Sequence, residues 1–570
     1  MLKKLTRFVK NNILFIIVLF IASVLRFVAI DKYPPSLNWD EVSHGFNAYS
    51  LLKTGEDEWG SIFPTIFRAY GDYKLPFYIY LTAISEFLFG VNEFAVRFPS
   101  VLSGIFSVFF TYLLVNELFR QRFGEKPAVL ASLLVAVEPW SLFLSRGAFE
   151  ANLALAFFTA GYYFFVKGLK KPKSLILNSI FFGLTVWTYN SYRIFTPIFL
   201  IILCLIYRSE LLKILKSKRK LFYGFVFLTL VFLIPMFYQL VNPVGQARYS
   251  NVTILDEGAI AQINQLRNGG CPRLYCNKLT YFVPRFVTNY LSHISGNFLF
   301  FKSGNHYQFS VPGHGVIYPL NIIFFLIGIF ALIRERFKNA AVLLFWFFIS
   351  FIPSSLTREA PHVLRSITVL PTPMIITSIG LYSSYTWFRL KFSKVKSPKA
   401  MIIVLIYLAF LMLSVFRYLR IYFTSYTQDY SWAWQYGYKQ IVGLVKQKYS
   451  GYDKFIITKR YGEPHEFFLF YWPRDPEKYQ NDSNLVRFYQ SNWYWVDSFD
   501  KFYFVNDWQV NESLYGNYTF MLESKDLVQC TPRMYRCLLI TSPGNVPDGW
   551  KKMETINFLD GKAAFEIYEN

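Results

Sequence analysis

The chain has 570 residues, of which 54% are hydrophobic, 20% aromatic and only 17% charged. That is too little charge and too much phenylalanine for an ordinary soluble protein of this length. The net charge of +23 would suit nucleic acid, but the bases gather in short loops between apolar runs. This is the positive-inside bias of a membrane protein, and it argues against a nucleic-acid partner.

The first segment, Met1 to Lys10, is basic and is followed by an apolar run from Ile13 to Ile30. It has the outline of a signal peptide, yet no small-residue cleavage site follows and Arg26 interrupts its end. It reads as an uncleaved first span with a cytoplasmic N-terminus. Further runs long enough to cross a bilayer fall near 97–119, 128–144, 151–167, 174–190, 194–207, 221–240, 317–333, 339–354, 367–388 and 400–422. Together they predict a polytopic α-helical protein with about eleven spans.

Basic clusters such as Arg120, Arg122 and Lys126, or Lys213, Lys216, Lys218, Arg219 and Lys220, mark the cytoplasmic loops. The acidic first loop (31–96), a long loop (241–316) and the tail then lie outside. Phe77 to Phe89 is apolar but short for a crossing. Counting it as one would move every later basic cluster outside, so it is expected to lie in the membrane interface.

The domain organisation expected is a transmembrane domain over 1–423 and a small extracytoplasmic α/β domain over 424–570. In the tail, Tyr438 to Gln447 has helical periodicity, while Lys454 to Thr458, Cys537 to Thr541 and Ala563 to Tyr568 read as strands. Cys271 with Cys276 and Cys530 with Cys537 are close pairs in external segments, where local disulfides are expected. Two cysteines at each place are too few for zinc, and Cys204 stands alone inside a span.

With this topology the unusual polar residues come to one face. They are Asp40, Glu41, His44, Arg68, Asp72, Lys74 and Arg97 in or beside the first loop. Arg146 and Glu150, then Tyr189, Tyr192 and Arg193, then Arg358, His362 and Arg365 follow from later loops. Intramembrane or headgroup-level charges usually mark a working site. Cations bind phosphate and a carboxylate removes a proton, which together suit group transfer from a lipid phosphate. Direct displacement with one base predicts inversion at the sugar carbon.

Asn38-Trp39-Asp40-Glu41, Gly71-Asp72-Tyr73-Lys74-Leu75-Pro76-Phe77-Tyr78 and Phe89-Gly90-Val91-Asn92-Glu93-Phe94-Ala95-Val96-Arg97 stand in order within the first loop. This pattern resembles the first loop of GT-C glycosyltransferases, nearest the protein O-mannosyltransferases and the aminoarabinose transferases of lipid A. Fainter similarity runs through Ser145-Arg146 to Glu150 and Arg365 to Pro371. The resemblance implies a polyprenyl-phosphate sugar as donor, and a hydroxyl on protein, lipid or glycan as acceptor. It implies Asp40 as the acid–base residue with Glu41 beside it, and Lys74 at the donor phosphate. Glu150 stands where the family usually has Asp, Leu75-Pro76 replaces its usual two prolines, and the tail does not resemble the sugar-binding-like domain of eukaryotic protein mannosyltransferases.

Plainer readings compete at each position. Asp40-Glu41 would suit a helix N-cap, Lys74 and Arg68 would suit snorkelling, and Arg97 would pair with Glu93 or a first-loop acid. Arg193, Arg358 and Arg365 are phosphate candidates that loops also use for pairing. No cofactor is written in the sequence. A divalent metal stays open, with His44 beside Glu41 the nearest pair and no second histidine to strengthen it. A transporter or flippase of lipid-linked sugar is the alternative function, and it would need charged or broken positions deep in spans. A scaffold that anchors the tail is the third; deleting the tail should abolish a scaffold's function but leave a transferase's site residues in place. The plasma membrane is the expected location.

Overall fold

The computed structural model describes residues 2–71, 73–391, 399–490, 493–511 and 515–570. Asp72 therefore lies outside the described residues. The chain separates into two compact units, Met1–Val28 with Ser100–Ile421, and Ala29–Pro99 with Tyr422–Asn570.

The first unit is helical. Every segment predicted to span overlaps a helix, and among the described residues five helices are long and apolar enough to cross a membrane: Glu93–Phe123, Arg219–Val241, Lys338–Ser355, Ile367–Lys391 and Ile402–Asp429. Others are shorter, and at least one of them is broken before a proline. The 128–144 segment is one such case, since Lys126–Val137 stops and Pro139–Leu144 restarts. Between them Glu138 is extended, as the residue before a proline prefers. Its carboxylate accepts from the Tyr318 backbone at 2.8 Å and from Asn321, so this buried acid is a packing clip between helices. The long loop is itself helical, with Pro243–Val252, Glu257–Asn268 and Lys278–Ile294. Cys271 and Cys276 are bonded within it.

The second unit joins the first loop to the tail. Helix Trp39–Thr54 begins at Asn38, whose side chain accepts from Glu41 N while Glu41 returns a bond to Asn38 N. That is a capping box, so the N-cap is Asn38 and Asp40 stands inside the first turn. Strands β1 (Phe67–Arg68) and β2 (Tyr73–Lys74) form a short antiparallel ribbon pairing Phe67 with Lys74, and helix Pro76–Phe89 follows.

The tail holds β3 (Lys454–Thr458), β4 (Val486–Gln490), β5 (Trp493–Phe499), β6 (Phe502–Val505), β7 (Thr519–Met521), β8 (Leu527–Gln529), β9 (Cys537–Thr541), β10 (Lys551–Asn557) and β11 (Ala563–Glu569). Seven make one mixed sheet in the order β10-β11-β9-β3-β6-β5-β4, with β3 parallel to both β6 and β9. β3 and β9, flanked on both sides, read as continuous apolar runs, as central parallel strands do. A second disulfide joins Cys530 to Cys537.

Helix Pro464–Tyr471 of the tail packs on helix Trp39–Thr54 of the first loop. Gly45 makes this approach possible, because a Cβ there would stand 2.3 Å from the Phe470 ring.

Candidate functional site

Asp40 and Lys74 meet. The ribbon turns Lys74 so that its ammonium pairs with Asp40 Oδ1, and the Tyr70 hydroxyl donates to the same oxygen at 2.6 Å. Among the described residues both donors sit on Oδ1 and none reaches Oδ2. Lys74 is 7% exposed and Asp40 51%. The carboxylate is thus partly covered by protein and partly open to solvent. Burial alone would raise its pKa, but the Lys74 ammonium and the Tyr70 hydroxyl outweigh burial and hold it well below the usual carboxylate range.

Tyr70 is itself held by the tail. Its ring stacks on Trp493 at 5.5 Å and tilts against Trp39 at 5.7 Å, while its carbonyl accepts from Tyr494 N. Gly71 is required for this contact, since a Cβ there would lie 2.0 Å from the Trp493 ring. Trp493 is anchored in turn by Glu463 at 2.7 Å.

Glu41 faces inward. Arg97 Nε donates to its Oε1 at 2.9 Å and Nη2 to its Oε2 at 3.1 Å, with both side chains buried. Arg97 also binds the carbonyls of Ile30, Pro34 and Ser36, so all five of its N–H donors are used. It fixes the entry to helix Trp39–Thr54 and keeps no donor for a phosphate. His44, one helical turn after Asp40, is buried with its ring 5.0 Å from Tyr78. No group of three potential metal ligands among the described residues includes His44 or Glu41. Arg68 lies between the Trp59 and Tyr494 rings, 4.9 and 4.6 Å from their centroids.

The remaining candidates belong to the helical unit. Arg146 binds the carbonyls of Leu25 and Val28 at 2.8 Å and so caps the first helix. Arg193 Nε donates to Val186 O at 3.1 Å and Nη2 to Gln239, but Nη1 is buried without a partner among the described residues. Arg365 binds Glu359 at 2.9 Å and Thr357 Oγ1 at 3.1 Å, and both Arg365 and Glu150 act electrostatically on Tyr189. His362 is buried, accepts from Arg365 N, and lies 4.7 Å from the His306 ring. Arg358 is exposed and paired with Asp256 at 2.8 Å. His306, Glu359 and His362 offer ligand atoms within 4.8 Å of one another.

Over residues 74–238 the sequence matches the model of the dolichyl-phosphate-mannose-protein mannosyltransferase family, less than a third of the chain. No curated protein matches the chain at a significant level. Two solved structures of ArnT from Cupriavidus metallidurans resemble it at 13% identity and a TM-score of 0.51. One is bound to undecaprenyl phosphate and covers 98% of each chain; the apo structure covers 97% of each. The chain has a GT-C fold.

It is thus a protein with membrane-length apolar helices and an ArnT-like fold. The structure brings Asp40 and Lys74 together, and it adds Tyr70 as a hydrogen-bond donor to Asp40. It also places Glu58 beside Glu463, His465 and Glu466, and because Glu58 is far from the other three in sequence, no local motif marks the cluster.

Proposed function

We propose that the chain is an integral-membrane glycosyltransferase that takes a hexose or aminosugar from a polyprenyl phosphate and delivers it, with inversion, to a hydroxyl of protein, lipid or glycan. The reaction is placed at the extracytoplasmic face. The observation that carries this reading is the Asp40 carboxylate: ionised, half exposed, held through Oδ1 and offering Oδ2.

In the reaction, the acceptor oxygen attacks the anomeric carbon while its proton passes to Asp40 Oδ2. The bond from that carbon to the phosphate oxygen breaks and the polyprenyl phosphate leaves with the electron pair. Lys74, a compact charge beside the base, is suited to the developing phosphate charge. Arg193, whose Nη1 is buried without a partner among the described residues, and Arg68, Arg358 and Arg365 are further candidates for the donor phosphate. Glu41 acts by position, fixing the helix that carries Asp40. His44, Asp72, Arg97, Arg146, Glu150 and His362 remain supporting candidates, with Arg97 and Arg146 engaged in backbone contacts. ArnT bound to undecaprenyl phosphate supports a donor of that lipid class.

The topology proposed is eleven spans with the N-terminus inside and the tail outside. Residues 1–423 form the transferase domain, with the catalytic loop at 31–96, and 424–570 form the external domain. Two disulfides in segments assigned outside support this orientation.

Membranes carrying Asp40→Asn, supplied with labelled polyprenyl-phosphate sugars, should lose transfer by about 10²–10⁴-fold while still binding donor. Lys74→Ala should lose both donor binding and transfer. Undiminished transfer by inserted Asp40→Asn protein would remove Asp40 from the role.

A further inference from the structure

Beneath the Asp40 platform lies a second polar cluster that glycosyl transfer does not use. Glu58 comes from the turn after helix Trp39–Thr54, and His465 and Glu466 open helix Pro464–Tyr471. His465 Nε2 lies 3.9 Å from Glu58 Oε1 and 3.9 Å from Glu466 Oε1. All three side chains are at most 4% exposed. On the other side of the imidazole, Nδ1 is 3.5 Å from Glu463 Oε2. Glu466 Oε2 is buried with no hydrogen-bond partner among the described residues.

Three carboxylates around one imidazole, all out of water, carry a desolvation cost that only a cation or protons can offset. Arg487 meets part of it. Its Nη2 donates to the Glu58 carbonyl at 2.9 Å but stays 3.9 Å from the Glu58 carboxylate. Its guanidinium is stacked on the Trp59 ring at 4.2 Å. Lys459 is committed to Asp497. Tyr479 adds one hydroxyl, 3.3 Å from Glu58 Oε1.

We propose that Glu58, His465 and Glu466 bind a single divalent ion of the zinc type, with Glu463 orienting the imidazole through Nδ1. Ligand atoms at about 2.0–2.2 Å around a tetrahedral ion stand roughly 3.4 Å apart. The two nitrogen–oxygen separations, both 3.9 Å, exceed this by about half an ångström. One nitrogen and carboxylate oxygens form a donor set of the zinc or manganese kind. A carboxylate behind the second imidazole nitrogen is the usual support for a histidine ligand. The site is enclosed, so the ion is structural. It clips the first loop to the tail, next to the Glu463–Trp493–Tyr70 chain that ends on Asp40. The proposal stands independently of the transfer reading, because it is read as bound metal.

The rival occupant is a proton held between Glu58 and Glu466, both of which burial pushes up. The full chain, purified in nanodiscs with His306→Ala to disable the His306–Glu359–His362 cluster, should retain one equivalent of Zn²⁺ after dialysis. Co²⁺ loaded in its place should give visible absorption bands. His465→Ala and Glu466→Gln should abolish retention, and Glu463→Gln should weaken it about 10- to 100-fold. In the chain with only His306→Ala, chelation should lower the unfolding temperature and Zn²⁺ restore it, a readout that survives if the other variants fail to fold. No retained zinc with an unchanged unfolding temperature, or zinc retained by His465→Ala, would overturn the proposal in favour of the shared proton.

Discussion

A residue that takes a proton from a weakly acidic hydroxyl must be ionised beforehand and open to its substrate. Asp40 satisfies both through opposed effects. Burial on its inner side raises the carboxyl, and the Lys74 ammonium with the Tyr70 hydroxyl brings it below the ordinary value near about 3.9. The stability this depression contributes is present above the unfolded value and lost as pH falls through the folded one. It is small, because the carboxylate is half exposed. The larger consequence is catalytic. Without Lys74 the burial effect dominates, and the Asp40 carboxyl moves up rather than down. We predict that Lys74→Met lifts the acid limb of the pH–rate profile, measured between about pH 4 and 8 with residual activity. Tyr70→Phe should lift it less, since it removes a neutral donor and leaves the ion pair. An acid limb unchanged in both would separate these residues from the ionisation of Asp40.

At the scale of elements, the helix that carries Asp40 is fixed from its first turn. Glu41 is bound at once by the Asn38 backbone and by Arg97, which gathers three carbonyls of the chain entering the helix. Breaking a buried ion pair on one side strands the other charge, at about 3–5 kcal/mol. Arg97→Met should therefore lower the unfolding temperature sharply, and Glu41→Gln added to it should recover part of the loss because no charge is left buried. Differential scanning fluorimetry of the two proteins in detergent measures this, and a double variant no more stable than Arg97→Met would contradict it. Which of two adjacent acids is structural could not be read from sequence. Asp40 and Glu41 differ by one position, about 100° around a helix, and the partner of Glu41 stands 56 positions away. Helix and strand ranges were legible where periodicity was strong: β3 and β9 match their predicted residues. The strands β4, β5 and β6 were not legible, since their mixed aromatic and polar sequence takes its meaning from pairing.

For the whole molecule, the first loop and the tail form one compact unit although the helical segment lies between them in sequence. Trp39 N, next to Asp40, donates at 2.8 Å to Gln435 Oε1, a residue 396 positions away. No sequence pattern announces such a contact, so tail deletion first read as a test that would leave a transferase's site in place. The packing argues otherwise. Helix Trp39–Thr54 would lose Phe470 against Gly45 and Tyr479 against Phe46, and Tyr70 would lose Trp493. Each of the two aromatic pairs is worth about 0.5–1.5 kcal/mol beyond area burial, and both are lost together with the Phe470 packing. A chain truncated after residue 421 should therefore still insert through its spans but transfer no sugar. The amides of Trp39–Thr54 should exchange faster with deuterium than in the full chain. Adding the tail as a separate polypeptide should restore protection in that helix if the tail folds alone, because the partner surface is on the loop itself. Unchanged exchange in the truncated chain, measured by mass spectrometry in nanodiscs, would show that the loop holds its shape without the tail and that the catalytic acid depends on first-loop contacts alone.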